Sequence, residues 1–456
     1  MINGSFRKYL EEAIGSDKAL VAFSAFESPA PASVRCNPFK KGICPDGRPV
    51  AWNGNGRILP ERPVFTLDPH FHAGAYYVQD SSSMFVGHAF RKLLEGAGKP
   101  SGRPFRVLDL CAAPGGKTTD LAASLREAFG DDFILVSNEV MKARAGVLAD
   151  NVALWGDPNV VVTSDDPRAF AALPGFFDVI VADVPCSGEG MFRKDEEAQR
   201  QWSEDNVALC EARQRRITAD VWPALRQGGI FIYSTCTFNK YENDGNVQWI
   251  ASELGAECLM EEDLLQPGEG VIKTSLGYSL VPGHVEGEGQ YCSALRKISD
   301  VEFREVKQKP ARPSKAQVLP EGIVAGLLTV KTLSRLRGET VVAVPENISG
   351  ELAFLEQALH IIAAGCAVGT LKGKVLVPDA DLALSLIYDR TAFPEAEVNR
   401  DTALAYLHRD AITLSDAPKG YVTIVYEGLP LGFVKNLGNR CNSLHPQSRR
   451  IRMNIK

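Results

Sequence analysis

No apolar run in this 456-residue chain is long enough to cross a membrane. The longest, Ala358 to Leu371, is short and broken by His360, and Met1 to Gly15 lacks the apolar core of a secretion signal. A soluble cytoplasmic protein with no membrane partner is therefore expected. The ten cysteines are scattered without a CxxC pair. That excludes the commonest zinc spacings and a dense disulfide framework, so no metal is expected and the thiols should be reduced. An excess of one charge is also missing: Lys plus Arg is 50, Asp plus Glu is 56, and the net charge is −6. With 45% hydrophobic and 23% charged residues, disordered, collagen-like and fibrous chains are excluded.

What is present is enough chain for two to four domains at about 100–200 residues each. Residues 1–98 combine a short helix pattern (Phe6 to Ala13) with turn-rich segments such as Pro45-Asp-Gly47 and predict a small α+β domain. From 99 to 300, apolar strands alternate with amphipathic helices: strands at Phe105–Leu110, Phe133–Ser137, Val160–Thr163, Phe177–Ala182 and Ile230–Ser234, with helices from Gly116, from Val140 and near Asn206–Leu225. This alternation predicts an α/β fold, a parallel sheet with helices on both faces. Residues 301–318, with Lys-Gln-Lys-Pro-Ala-Arg-Pro-Ser-Lys at 307–315, read as a basic Pro-rich linker. A middle module at 319–390 and a β-rich one at 391–456 follow. From Lys435 to Lys456 the chain carries Lys435, Arg440, Arg449 and Arg450 with no carboxylate, either a solvated basic tail or a phosphate-binding surface.

Ligands of such sheets sit beyond the carboxyl ends of the strands, and that is where the unusual residues fall. The first strand runs into Cys111-Ala112-Ala113-Pro114-Gly115-Gly116-Lys117, a small-residue turn opening a helix, suited to a nucleotide-like ligand. Position 111 is Cys where a P-loop needs Gly, and no G-x-G-x-x-G occurs, so ATP hydrolysis and dinucleotide binding both lose ground. Glu139, ending the second strand, is placed to accept hydrogen bonds from ribose hydroxyls. After the third strand, Asp165 or Asp166 either faces an adenine amino group or caps the helix near Ala169. The fourth strand ends Asp183-Val-Pro-Cys186 and the fifth Ser234-Thr-Cys236. Thiols at adjacent strand ends suit cytosine C5 chemistry, in which a thiolate added at C6 makes C5 nucleophilic and a carboxyl at N3 supplies a proton. Cysteine hydrolysis would need a histidine brought in by the tertiary fold, because the seven histidines lie outside the strand ends.

In order and spacing, Asp109 to Thr118, Asp183 to Gly188 and Ser234 to Thr237 resemble the motifs of the NOL1/NOP2/Sun family of RNA cytosine-5 methyltransferases. Tyr76 to Met84, Arg35-Cys-Asn37 and Tyr291 to Lys297 extend the likeness. Gly420 to Tyr426, Pro430 to Lys435 and His445 to Ile451 look like the PUA-like end of its bacterial RsmF-type members. The resemblance implies a Rossmann-like methyltransferase sheet, S-adenosylmethionine as cofactor, and 16S ribosomal RNA or the small ribosomal subunit as partner of a monomer. It makes Cys236 the nucleophile, Cys186 the thiol assisting release, and Asp183 the contact to cytosine near the methyl donor. It gives Cys111 to Lys117 the methionine part of the cofactor, Glu139 the ribose, and Asp166, which precedes Pro167, the adenine. Lys435, Arg440, Arg449 and Arg450 become RNA contacts. The alternative is an idle RNA-binding or assembly factor that keeps the fold; the intact Cys186, Cys236 and Asp183 favour the enzyme.

Overall fold

In the computed structural model, residues 4–40, 44–96, 98, 100–259, 268–299, 317–319, 321–373 and 375–455 are described. Apart from Gln317–Val318, a short strand, the expected linker lies outside the described residues. Five parallel strands form the centre: β1 (Phe105–Asp109), β2 (Phe133–Asn138), β3 (Val160–Thr163), β4 (Phe177–Asp183) and β5 (Leu225–Thr235). With β6 (Tyr278–Leu280), β7 (Gln290–Lys297) and β8 (Ile361–Ala364), the order is β6-β7-β5-β4-β1-β2-β3-β8. The chain winds outward from β1 to β3, then returns to β4 on the other side of β1. A crevice opens at that reversal, at the carboxyl ends of β1 and β4.

Strand periodicity explains the two cores. Phe133 and Leu135 of β2 pack with Leu121 and Leu125 of α1 (Gly116–Phe129) and with Leu148 and Val152 of α2 (Lys142–Trp155). Their neighbours Ile134 and Val136 face the other way, towards Ile217 and Val221 of α3 (Glu204–Val221). Successive side chains of a strand point to opposite faces, so a strand covered on both sides reads as a continuous apolar run.

The sheet differs from an all-parallel expectation at its edges, where β7 runs antiparallel to β5 and β8 antiparallel to β3. β8 belongs to the middle C-terminal segment, so the expected division at 300 does not bound the sheet. The rest of that segment forms a five-stranded antiparallel sheet (Gln317–Val318, Thr332–Arg337, Thr340–Pro345, Cys366–Lys372, Val375–Pro378). A four-stranded sheet follows (Glu395–Glu397, Gly420–Tyr426, Leu429–Asn436, Cys441–Ser443). At the other end of the chain, Ala32–Cys36, Arg48–Val50, Asn53–Leu59 and Tyr76–Val78 make a small antiparallel sheet. Its Ala32, Val34 and Tyr76 share one apolar cluster with Leu404, Ile424 and Leu431, which joins the two ends of the sequence. Here the expectation of reduced thiols is corrected: Cys36 and Cys44 are bonded, with Cα atoms 5.7 Å apart, within ordinary disulfide reach. No described helix is long and apolar enough to cross a membrane.

Candidate active site

The β1–α1 turn is held from three directions. Ala112 N–H donates to Asn138 O (2.8 Å), Asn151 Nδ2 to Pro114 O (2.8 Å), and Tyr77 Oη to Pro114 O (3.1 Å). The Ala113–Pro114 peptide is cis, and Gly115 has φ 112°, a left-handed value that glycine adopts without a Cβ clash. Arg35, buried in the N-terminal sheet, donates to Gly116 O (3.1 Å) and lies over the Trp155 ring at 4.7 Å. The Arg-x-Asn segment thus braces the turn, and its Asn37 Nδ2 donates to Gly74 O and Trp155 O, both at 3.1 Å.

Lys117 points from the first turn of α1 to the end of β4. Its ammonium donates to Asp183 Oδ2 (2.8 Å) and to Ser83 Oγ (2.9 Å). Asp183 Oδ1 accepts from Ser234 Oγ (2.7 Å) and Gln290 Nε2 (3.1 Å). Burial alone would raise the Asp183 carboxyl, but Lys117, Ser234 and Gln290 hold it below the usual range. Burial pulls Lys117 down, and Asp183 outweighs it to raise the ammonium. Lys117 and Asp183 thus form a charged pair in which the ammonium holds the proton.

Cys186 and Cys236 meet at the exits of β4 and β5, Sγ to Sγ 3.0 Å. The Cys186 thiol is pushed up by its hydrogen bond with Cys236 and by burial, so Cys186 keeps its proton. The register pairs Asp183 with Ser234, which puts both thiols beside the Lys117–Asp183 pair.

The remaining expected residues divide. Glu139, buried at the end of β2, accepts from Met141 N–H (2.9 Å) and pairs with Arg144 (3.2 Å). Asp166 caps the turn at Pro167–Ala172 by accepting from Arg168 N–H (3.0 Å) and lies 4.0 Å from Arg216. Its observed contacts are those of a cap, the other role open to it. Asp165 accepts from the His360 N–H at 2.8 Å. Lys435 is exposed, 5.7 Å from the Tyr421 ring centroid, Arg440 is exposed, and Arg450 is half-buried. Arg449, also expected among the RNA contacts, has a side chain only 11% exposed and paired with Asp150 (3.0 Å) and Asp381.

Sequence reasoning missed the residues that hold the two cysteine loops together. Glu189 accepts from Phe238 N–H (2.7 Å), Asn239 N–H (3.0 Å), Asn239 Nδ2 (2.9 Å) and Trp202 Nε1 (2.9 Å). Glu242 accepts from Ser187 N–H (3.0 Å), Gln214 Nε2 (2.7 Å) and Asn239 Nδ2 (2.8 Å). No periodicity marks a buried acid in a loop; the only signal was the Gly-Glu-Gly at 188–190 beside a cysteine.

These residues fit S-adenosylmethionine in their chemistry. A small-residue turn suits the methionine part, the Glu139 carboxylate a ribose, and the Asp183 anion a cationic donor. Fold and site together define an S-adenosylmethionine-dependent methyltransferase. Residues 99–296 match the family 16S rRNA methyltransferase RsmB/F, 2–81 the N-terminal domain of 16S rRNA methyltransferase RsmF, and 393–451 the methyltransferase RsmF PUA domain. Ribosomal RNA small subunit methyltransferase F of Erwinia tasmaniensis is 30% identical over 426 residues, covering 88% of this chain and 84% of that protein. The Salmonella agona protein of the same name is 29% identical and covers 97% and 95%. A solved methyltransferase homolog from Pyrococcus horikoshii superposes with TM-score 0.52 at 26% identity, over 64% of this chain and 93% of that one. NSun6 from the same organism gives TM-score 0.51 at 17% identity, over 65% and 99%, a likeness of fold. The chain belongs to the RsmF family of ribosomal RNA small subunit methyltransferases.

Proposed function

We propose that this protein methylates carbon 5 of a cytosine in 16S ribosomal RNA, naked or within the small subunit, through a covalent cysteine adduct, acting as a cytoplasmic monomer. The observation that carries the reading is the pair of thiols 3.0 Å apart beside Lys117 and Asp183. S-adenosylmethionine, held by Cys111 to Lys117 and Glu139, with Asp166 at the adenine rim, supplies an electrophilic methyl group.

The Cys236 thiolate forms a bond to C6 of a base swung out of its stack, and electron density moves to C5. Asp183, an anion, accepts from the exocyclic amino group, while Lys117 offers a proton to the charge that develops on the ring. After methylation, water takes the C5 proton, the C5=C6 double bond re-forms and the S–C6 bond breaks, so that Cys236 leaves as a thiolate. Cys186, which keeps its proton, donates a hydrogen bond to the departing Cys236 thiolate. Lys435 and Arg440 contribute phosphate contacts.

Transfer of a labelled methyl group to ribosomal RNA followed by nucleoside analysis should yield 5-methylcytidine; another product, or none from cofactor-bound protein, rules the reading out. Cys236→Ser should abolish turnover and leave S-adenosylhomocysteine affinity unchanged, because the thiol meets the base and not the cofactor. Cys186→Ala should accumulate a denaturant-resistant protein–RNA adduct.

A further inference from the structure

The two thiols sit on separate loops that leave the paired strands β4 and β5. Besides the strand register, a set of polar side chains links the two loops. Gly190 N–H donates to Cys236 O (2.8 Å), and Ser187 Oγ meets Thr237 Oγ1 at 2.9 Å, so the residue after each cysteine touches the residue after the other. Asn239 ties two buried acids together. Its Nδ2 lies 2.9 Å from Glu189 Oε1 and 2.8 Å from Glu242 Oε1, while its Oδ1 accepts from Glu242 N–H (2.9 Å). Glu189 leaves the Cys186 loop to accept the backbone N–H groups just after Cys236; Glu242 leaves the Cys236 loop to accept the N–H just after Cys186. Each loop is thus held by a carboxylate of the other. Asn239 and Glu242 are fully buried and Glu189 nearly so, which strengthens each bond and makes an unmade one expensive. Gly190 adds a steric reason for the close approach: a Cβ there would lie 2.8 Å from Cys236 O and 2.7 Å from Gly289 Cα.

We infer that Glu189, Asn239 and Glu242 are positioning residues, a reciprocal clamp that sets the distance between Cys186 and Cys236 and through it the release of methylated product. The second half of this statement rests on the proposed function; the first does not. In the clamped protein Cys186 stays within hydrogen-bond reach of the leaving sulfur. With the clamp loosened, Cys236 can still attack, but its departure loses the stabilising donor.

The test reads the distance directly. The full-length protein, without RNA or cofactor, is treated with diamide, and closure of the Cys186–Cys236 disulfide is followed by peptide mass spectrometry. Asn239→Ala should slow closure by about tenfold or more, given that misplacement by about 1 Å costs on the order of 10²-fold in reactions needing alignment. Glu242→Gln should slow it less. S-adenosylhomocysteine affinity should stay within about twofold of wild type, since the clamp lies under the thiols. In the RNA reaction Asn239→Ala should accumulate adduct while its kcat falls. Closure at the wild-type rate overturns the clamp. Slow closure with normal release keeps the clamp and overturns its role in release, and a failed methylation reading leaves the closure measurement intact. Should Asn239→Ala not fold, Thr237→Val removes only the hydroxyl bridge to Ser187 and must slow closure in the same direction.

Discussion

Glu242 is a carboxyl whose hold on a proton the fold strengthens. Burial raises it from 4.5 to about 7, against the pull of Ser187, Asn239 and Gln214. Asp109, buried under the β1–α1 turn, is likewise raised from 3.8 to about 7 by burial, with Thr118 opposing. Between the unfolded and folded values the native state binds more protons, so this stability is full below about pH 4 and is lost as pH rises through about 7. Wild type should therefore lose thermal stability between about pH 4 and pH 7, with little further loss above, and Glu242→Gln should flatten part of that slope, by up to about 3 kcal/mol over the whole window. Equal slopes in the two proteins would mean that Glu242 is ionised throughout. The candidate catalytic residues were legible because strand ends in an α/β sheet have fixed addresses, as at Asp183, Cys186 and Cys236. Glu189 and Glu242 were not, because an acid in a loop reads the same whether it faces water or a ring of N–H donors.

At the scale of elements, the five parallel strands were legible within a residue or two, except at β5. There the apolar run from Ile230 marks only the second half of a strand that starts at Leu225, whose first half, Leu-Arg-Gln-Gly-Gly, reads as a turn. The helix expected from Val140 begins at Lys142, since Val140 and Met141 are spent leaving β2 beside Glu139. β8 could not be assigned to this sheet at all: periodicity shows that Ile361–Ala364 is apolar, but not which edge it joins. The β1–α1 turn carries a prediction of its own. Gly115 has φ 112°, and a Cβ there would lie 3.1 Å from the Leu148 side chain. Gly115→Ala should destabilise the protein by roughly 1–2 kcal/mol and weaken S-adenosylhomocysteine binding, because the turn proposed to hold the cofactor must shift to relieve the strain. Calorimetric titration together with a melting curve checks both, and unchanged affinity would detach the turn from the cofactor.

At the scale of the whole molecule, the chain's two ends close on one another, and the C-terminal cations separate into two kinds that charge pattern alone could not distinguish. Arg449 spans modules. Its guanidinium reaches Asp150 on α2 and Asp381 in the middle segment, and burial around it is offset by those carboxylates, which raise it above its ordinary value. Lys435 and Arg440 stand exposed on the last sheet and its turn. Their substitutions should therefore differ in kind. Lys435→Ala and Arg440→Ala should each reduce the slope of log K against log salt for RNA binding by about 0.7–0.9 per lost phosphate contact, with no change in melting temperature. Arg449→Ala leaves Asp381 half-buried and unpaired, so it should lower stability by about 1–3 kcal/mol and leave the salt slope alone. A fall in slope from Arg449→Ala at full stability would return that residue to the RNA surface and remove the ion-pair lock between catalytic sheet and C-terminal module.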